Sequence, residues 1–316
     1  MTGCEAVVLF GASGFIGRNI VAALAGKPLE LFAVNSNGRA VTGCSQTVAL
    51  DALDELPALP SRTVIVHTAA FRYAASRFAA DQAVILKTNT ELAEQVYGFA
   101  LARGITEVRQ ASSVAVYPAD WALQDDGRDL DLNLWPHDGE AAYAWSKRWG
   151  EILAELWHRR AGINTIAFRL TNPYGPFDTI DENEAHVATA FLLRALRDDD
   201  RFEIRGNAEA ERDFVFAGDV AEAFVQSLEL EGQNASLNCA LGETVTIREL
   251  AEAAMEATGR KRPLEHTSPP AGSGAGVNIR RATAERLREL LPDLPAFQGV
   301  EAGLRKSVDW YRDALR

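Results

Sequence analysis

"VVLFGASGFIGRNI", Val7 to Ile20, sets three glycines, Gly11, Gly14 and Gly17, directly behind an apolar run. Glycine stands where backbone turns sharply or comes close to another group. A helix opening behind such a turn presents unpaired N–H groups and a partial positive charge. The stretch therefore reads as a strand, a tight turn and a helix whose start can seat a phosphate. Its spacing, G-x-x-G-x-x-G, differs from the G-x-G-x-x-G dinucleotide fingerprint but fits the same job of bringing backbone close to a pyrophosphate.

Outward from that turn, apolar runs at Ala6 to Phe10, Leu29 to Val34, Val64 to Thr68, Val108 to Ala111 and Ile163 to Leu170 read as buried strands. Between them Phe15 to Leu24, Asn89 to Arg103 and Ala141 to Ala161 carry apolar residues at helical spacing. This β-α-β series predicts an α/β fold, a Rossmann-type doubly wound parallel sheet with a smaller mixed α/β lobe capping the substrate site. Residues 1–172, with a return segment 213–240, are expected to form the dinucleotide-binding domain, and 173–212 with 241–316 the substrate domain.

The later part is less regular. "PFDTIDENEAH" reads as a polar loop, "HVATAFLLRALRDDD" as a helix, and "FEIRGNAEAERDFVF" as paired extended segments separated by a turn. "TIRELAEAAMEATG" is a helix with Thr246 and Glu249 in capping-box spacing and Gly259 as its stop. "PPAGSGAG", Pro269 to Gly276, is loop chemistry.

With 316 residues, 47% hydrophobic and 24% charged, the chain can build one large core and a smaller second one. A net charge of −12 argues against nucleic acid or an anionic membrane as partner. Cys4, Cys44 and Cys239 lie far apart without a C-x-x-C, which suggests neither a zinc knuckle nor a disulfide framework and suits a reducing compartment. Met1 leads straight into a short apolar run with no basic flank and no span of signal or membrane length, so a cytoplasmic location is expected. The acidic runs "DDGRDLDLN" and "RDDDR" read as solvated loop and helix end, and no metal site is expected.

Two constellations carry chemistry. At the end of the second strand, in "AVNSNGR", an acid would bond the 2′-hydroxyl of NAD and repel the 2′-phosphate of NADP; the sequence has the neutral Asn35. Arg39, or Arg18 behind the third glycine, can supply a cation there, so NADP(H) is favoured over NAD(H); the rival reading is a solvated loop with chance arginines. Further on, "QASSVAVYP" precedes "YAWSK". Tyr143 and Lys147 are four residues apart on a helix, where an ammonium lowers a nearby phenol's pKa towards the range for proton transfer. Ser113, from a strand end, can hold a substrate oxygen within reach of that phenol.

With these stretches the sequence resembles the extended short-chain dehydrogenases/reductases of the nucleotide-sugar epimerase/dehydratase group. "GASGFIG", "VIVHTAA", "NTELAEQV", "SSVAVYP", "YAWSKRWGE", "RLTNPYGP", "ERDFVFAGDVAEAF" and "TIRELAE" follow in that family's order over nearly the whole chain. The resemblance implies that Ser113, Tyr143 and Lys147 are the catalytic group. The tyrosine then exchanges a proton with a sugar hydroxyl or ketone while hydride moves between sugar and nicotinamide, and Lys147 also bonds the nicotinamide ribose. It implies a cofactor site of Gly11, Ser13, Gly14, Phe15, Ile16, Gly17, Asn35, Arg39, Ala69 and Asn89 together with Tyr143 and Lys147. Substrate-side candidates are Ser113, Asn172, His186, Arg194 and Arg212, since a diphosphate in an acidic protein needs placed cations and amides.

"SSVAVYP" and "TNPYGPFDTIDENEAHV" look most like the GDP-fucose synthase branch, in which a 4-keto sugar is epimerised and then reduced with NADPH. His186 falls where that branch has a histidine acid/base. The branch's cysteine partner falls on Ala115, which cannot move a proton, so two-base epimerisation is not expected. The resemblance implies an oxidoreductase acting on a nucleotide-diphosphate sugar, with reduction of a 4-keto sugar as the leading expectation. An NAD-linked 4-epimerase or dehydratase that retains its cofactor is the alternative, and a non-catalytic dinucleotide-sensing scaffold the rival from another class. A homodimer through helices 89–103 and 141–161 is also implied, with Trp149 and Trp157 supplying apolar area. Trp145 joins them as packing or subunit contact, and His67 is expected as a packed, hydrogen-bonded residue.

Overall fold

The computed structural model describes residues 3–71, 78–267 and 279–316. The chain begins β1 (Ala6–Phe10), α1 (Phe15–Ala23), β2 (Glu30–Asn35), β3 (Gln46–Ala49), β4 (Thr63–His67), α2 (Phe78–Arg103), β5 (Glu107–Ser113), β6 (Leu123–Gln124), α3 (Ala141–Ala161) and β7 (Asn164–Leu170). Then come β8 (Asn172–Tyr174), α4 (Val187–Leu196), β9 (Phe202–Arg205), β10 (Glu211–Arg212), β11 (Phe214–Phe216), α5 (Ala217–Ser227) and β12 (Ala235–Cys239). The last part holds β13 (Val245–Thr246), α6 (Ile247–Thr258), β14 (Leu264–Thr267), β15 (Ile279–Ala282), α7 (Glu285–Leu290) and α8 (Val300–Ala314). The expected loop from Pro269 to Gly276 lies outside the described residues.

Seven strands form one parallel sheet in the order β12-β7-β5-β4-β1-β2-β3. Its inner strand β1 is apolar on both faces because helices cover both. Ala6, Val8 and Phe10 of β1 join Val96, Tyr97 and Ala100 of α2 and Leu153 of α3. Val7 and Leu9, one residue out of phase, join Ile20 and Val21 of α1 and Val220 and Phe224 of α5. The Rossmann-type doubly wound sheet read from the sequence is the observed one. Strand β1 lies between β2 and β4, so strand order reverses there and a crevice opens beyond the carboxyl ends of β1 and β4, where such sheets bind ligands.

Several expectations need correction. Helix α2 begins at Phe78 rather than Asn89, since Val84 and Leu86 face outward and hide the apolar period of its first turns. Edge strand β3 has a single buried side chain, Val48, too little to register as a strand pattern. The extended segments of "FEIRGNAEAERDFVF" do not pair with each other: β9 pairs with β14, β10 with β13 and β15, and β11 with β8. Asp126 is not a solvated loop acid; it is buried, accepting from the Asn238 amide N–H at 2.8 Å and the Thr283 hydroxyl at 2.8 Å. Trp149 and Trp157 pack partly buried against the α2–α3 face of the core, while Leu156, at 51% exposure, points outward from α3.

A second core joins Tyr174, Phe191, Phe202, Phe214, Leu250, Leu304 and Tyr311, drawn from α4, α6, α8 and the short strands around them. Helix α6 has the capping box of Thr246 with Glu249 and ends at Gly259 in the left-handed region, as its sequence predicts. Strands β13, β10, β15 and β6 form a separate four-stranded sheet. Between the two cores, Phe177 has a φ of 70°, the only positive value at a non-glycine among the described residues. It is held by the Arg18 guanidinium 4.3 Å from its ring and by Trp310 at 5.5 Å, while Asn19 donates to the Pro176 carbonyl at 2.9 Å.

Candidate active site

The opening turn is built by packing. Gly11 has a φ of +86°, and a Cβ on it would lie 2.6 Å from the Ala69 nitrogen. A Cβ on Gly17 would lie 2.1 Å from the Gly11 carbonyl oxygen. These two glycines let α1 and the end of β4 close on the loop. Gly14 is the exposed one; its added Cβ would meet only the Gly11 oxygen, at 3.2 Å. It is also the N-cap of α1, where no side chain caps the helix and no acid stands in the first turn. Ser13 is exposed beside it, and Phe15 and Ile16 are the first helical residues. Unpaired amides, an uncapped dipole and an open approach together fit the diphosphate of a dinucleotide.

At the carboxyl end of β2, Asn35 is buried and shapes its own loop: its side chain donates to the Arg39 carbonyl at 2.8 Å and accepts from the Asn37 N–H at 3.2 Å. Arg39 is exposed at that loop. Arg18 is not directed there, being stacked on Phe177. Asn89 is likewise a fastener, accepting from the Phe71 N–H at 2.7 Å and donating to the Ser146 hydroxyl at 3.1 Å, and so ties the chain after β4 to α3.

Strand β5 and helix α3 bring the catalytic candidates together. A Cβ on Gly150 would lie 2.7 Å from the Gln110 amide nitrogen, so glycine here lets α3 press against β5. Lys147 is buried beneath the strand end and donates to the Ala111 carbonyl at 2.8 Å. Ser113 ends β5, accepts from the Ala115 N–H at 3.1 Å and hydrogen-bonds Tyr143. The Lys147 ammonium is 5.6 Å from the Tyr143 ring centre. Burial dominates the charge states of this group. It pushes the Tyr143 phenol up to about 12, the Glu140 carboxylate adding to the rise and the Ser113 bond opposing it. It pushes Lys147 down to about 8 against the pull of Glu151. The expected lowering of the phenol by Lys147 is therefore outweighed by desolvation, and Tyr143 stays protonated at neutral pH. His67, at the end of β4, is neutral for the same reason, pushed down to about 3 by burial and then by Lys147; its Nδ1 has no partner among the described residues, contrary to expectation.

The substrate-side candidates divide. Asn172 is half-buried and donates to the Asp213 carbonyl at 2.7 Å. Arg212 lies on β10 beside Arg280 of β15, which donates to Glu140 at 2.9 Å just ahead of α3. Arg194 is committed elsewhere, bonding Glu182 at 3.1 Å through its Nε and reaching the Glu203 carbonyl, so it is not a loose cation awaiting a ligand. His186 is exposed as the N-cap of α4 and makes no side-chain cap bond. The Glu140–Arg280 contact was not legible; "IRRATAE" carries no motif and meets Glu140 only through the tertiary fold.

The pattern of the NAD dependent epimerase/dehydratase family matches residues 7–240. The chain belongs to this family. It is thus an enzyme of the extended short-chain dehydrogenase/reductase type, which depends on NAD(P). A dTDP-4-dehydro-6-deoxy-D-allose reductase from Streptomyces sp is 29% identical over 97% of the enzyme and 96% of that protein. A GDP-L-fucose synthase from Dictyostelium discoideum is 25% identical over 62% of the enzyme and 60% of its own length, so the branch expected from motifs is matched over less of the chain. The fold is that of Thermus thermophilus UDP-glucose 4-epimerase in complex with NAD, with a TM-score of 0.78 at 23% identity over 98% of the enzyme and 100% of that chain. Among the described residues, no helix is long and apolar enough to cross a membrane.

Proposed function

We propose that the enzyme reduces the 4-keto group of a nucleotide-diphosphate sugar, using NADPH in preference to NADH. The observation that carries this reading is the placement of the Tyr143 phenol, hydrogen-bonded to Ser113 and set beside Lys147. A phenol that holds its proton at neutral pH is fitted to give it to a carbonyl oxygen as negative charge grows there, whereas oxidation of an alcohol first needs the phenolate. Tyr143 would donate its proton to the keto oxygen, and Ser113 would hold that oxygen in line. Lys147 would steady the phenolate left behind. The dinucleotide, when bound, supplies the hydride that completes the alcohol.

The chain's own residues toward that cofactor are the amides at the start of α1 around Ser13, Gly14, Phe15 and Ile16 for the diphosphate, and the loop of Asn35 for the adenosine ribose. Asn35 places no carboxylate at β2, and exposed Arg39 is the cation nearest in sequence to receive a 2′-phosphate. The relative that reduces a dTDP-4-keto sugar supports the same class of reaction. Residues 173–212 and 241–316 are assigned to the sugar side, with Asn172 and Arg212 facing the substrate and His186 at the rim. A homodimer is assigned to the face of α2 and α3, where Leu101 and Leu156 are about half exposed. A cytoplasmic location accords with this chemistry.

Incubating the purified enzyme with NADPH and 4-keto dTDP-, UDP- and GDP-sugars tests the function, with loss of nicotinamide absorbance as the readout. Tightly retained NAD and interconversion of sugars without net redox would replace the reductase by a 4-epimerase. That second reading is favoured by the one observation that the same Ser113, Tyr143 and Lys147 serve either direction once Tyr143 ionises.

A further inference from the structure

The carboxyl end of β5 is bonded to α3 at three successive residues, and the three partners on the helix stand four residues apart. Lys147 donates to the Ala111 carbonyl at 2.8 Å, Ser112 donates to Glu151 at 2.5 Å, and Ser113 hydrogen-bonds Tyr143. Positions 143, 147 and 151 share one face of the helix, so this face lies along the strand end as a row of fasteners. Two of the three bonds belong to the catalytic group. The third is made by Glu151, to which the reaction gives no step. That carboxylate cannot swing away: Arg169 of β7 donates to it through Nε at 3.0 Å and Nη2 at 2.7 Å, with the arginine side chain 6% and the acid 10% exposed. The remaining Arg169 nitrogen donates to the Tyr117 hydroxyl at 2.9 Å, which donates in turn to Asn238 of β12 at 2.8 Å. A buried ion pair does little for stability after its desolvation, so one kept behind a catalytic helix asks for another role.

We propose that Glu151 is a positioning residue of the catalytic group: its carboxylate ties Ser112 to α3, which sets Ser113 against Tyr143, and it is the standing counter-charge of the Lys147 ammonium one turn away. The proposal rests on the catalytic reading of Ser113, Tyr143 and Lys147 given above and adds to it the group that holds them. Ser112 and Ser113 are neighbours on one strand, so a bond that fixes the first limits the travel of the second. Lys147 is buried beside the phenol, where desolvation disfavours its charge; Glu151 opposes that loss. The other titratable groups about this pair among the described residues are Tyr143 and Arg148 on α3, His67 of β4, Tyr97 of α2, Arg169 of β7 and Tyr117 after β5. Two more carboxylates act on its neighbours, Glu140 on Tyr143 and Asp131 on Arg148.

Two measurements test this. In the whole protein carrying isotopically labelled lysine, the Lys147 signal, identified by its absence from Lys147→Gln, is titrated by NMR without any substrate. Its midpoint should lie at about 8 in the wild type. In Glu151→Gln combined with Arg169→Gln, which removes both charges and so leaves no orphaned arginine, the midpoint should fall by at least about one pH unit, tenfold in the protonation equilibrium. A merely structural role would leave the midpoint in place or, by admitting water, raise it. Ser112→Ala cuts the tie and keeps the charge. There the midpoint should stay, while kcat with the 4-keto sugar nucleotide that the wild type reduces should fall about fivefold, the scale of one hydrogen bond, with KM and NADPH affinity kept. A midpoint that stays or rises in the double variant overturns the counter-charge, and unchanged kcat in Ser112→Ala overturns the tie. A wild type that reduces none of the 4-keto sugar nucleotides would instead overturn the reading of the reaction, and the Lys147 titration would still decide the role of Glu151.

Discussion

The opening turn and the Arg212–Arg280 strand pair are made in opposite ways. The turn is local: within seven residues Gly11, Gly14 and Gly17 build an uncapped helix start whose shape is fixed by backbone packing, and no side-chain charge is needed. The arginine pair is assembled from distant residues, Arg212 and Arg280, with the Glu140 carboxylate bonded to Arg280. One is a rigid mould and the other a set of ions. A rigid mould tolerates almost no change in the atoms that pack it, whereas an ion set can be retuned one charge at a time.

The largest effect tests the mould. Gly17→Val places a side chain against the Gly11 carbonyl and should cost about 3 kcal/mol or more of folding stability, measured by denaturant unfolding. Gly14→Val, at the exposed N-cap, should keep the fold and lose dinucleotide affinity by at least about tenfold, near the value of one strong hydrogen bond. If both variants fold alike and bind alike, packing and ligand roles are not divided within the turn. Next comes Tyr143→Phe, which removes the proton donor of the ion side while leaving the mould intact. Its kcat should drop at least about a hundredfold with cofactor affinity nearly unchanged; near-normal turnover would move the acid elsewhere.

A smaller effect follows from Lys147, whose ammonium is lost in the folded protein as pH rises through about 8 instead of its ordinary 10.5. Turnover should decline above about pH 8 as that charge leaves the phenol. Between about 8 and 10.5 the unfolded chain holds more protons at this position, so the contribution of Lys147 to stability should rise with pH over the same window. Paired pH profiles of kcat and of unfolding free energy check the opposite signs; parallel profiles would show that Lys147 does not govern the alkaline limb. The smallest effect concerns the edge of the mould. Arg39→Ala should weaken NADPH by about tenfold and NADH hardly at all, the scale of one exposed arginine–phosphate contact. Equal losses for both cofactors would assign Arg39 to the loop alone.

The same contrast explains what could be read before folding. Strands β1, β2 and β4 are largely apolar on both faces, and helices α1 and α3 show clear periodicity, so local pattern and global fold agree. Tyr143, Lys147 and Ser113 were legible because helical spacing and a strand end already bring two elements into register. The turn around Gly11 and Gly14 was legible from its glycine spacing, while Asn35 and Asn89 turn out to fasten neighbouring chain. The substrate side was not. Strand β10 has two residues and finds its partners across long stretches of chain, Arg194 met Glu182 instead of a ligand position, and nothing near residue 280 announces that it will meet residue 140. The direction of the Tyr143 shift was also hidden, since burial is a property of the folded molecule and only the lysine is visible in sequence.

The strand β15 also has a consequence for how the molecule comes into being. It bridges β6 and β10, and through Arg280 reaches Glu140, 140 residues earlier in the chain. Loop closure of that length is slow and is rewarded only after both ends are ordered. The opening turn is complete as soon as β1 and α1 leave the ribosome, whereas α5 and β12 close the parallel sheet much later and β15 adds its strand to the four-stranded sheet later still. Order thus reaches the opening turn long before it reaches the strand that carries Arg280.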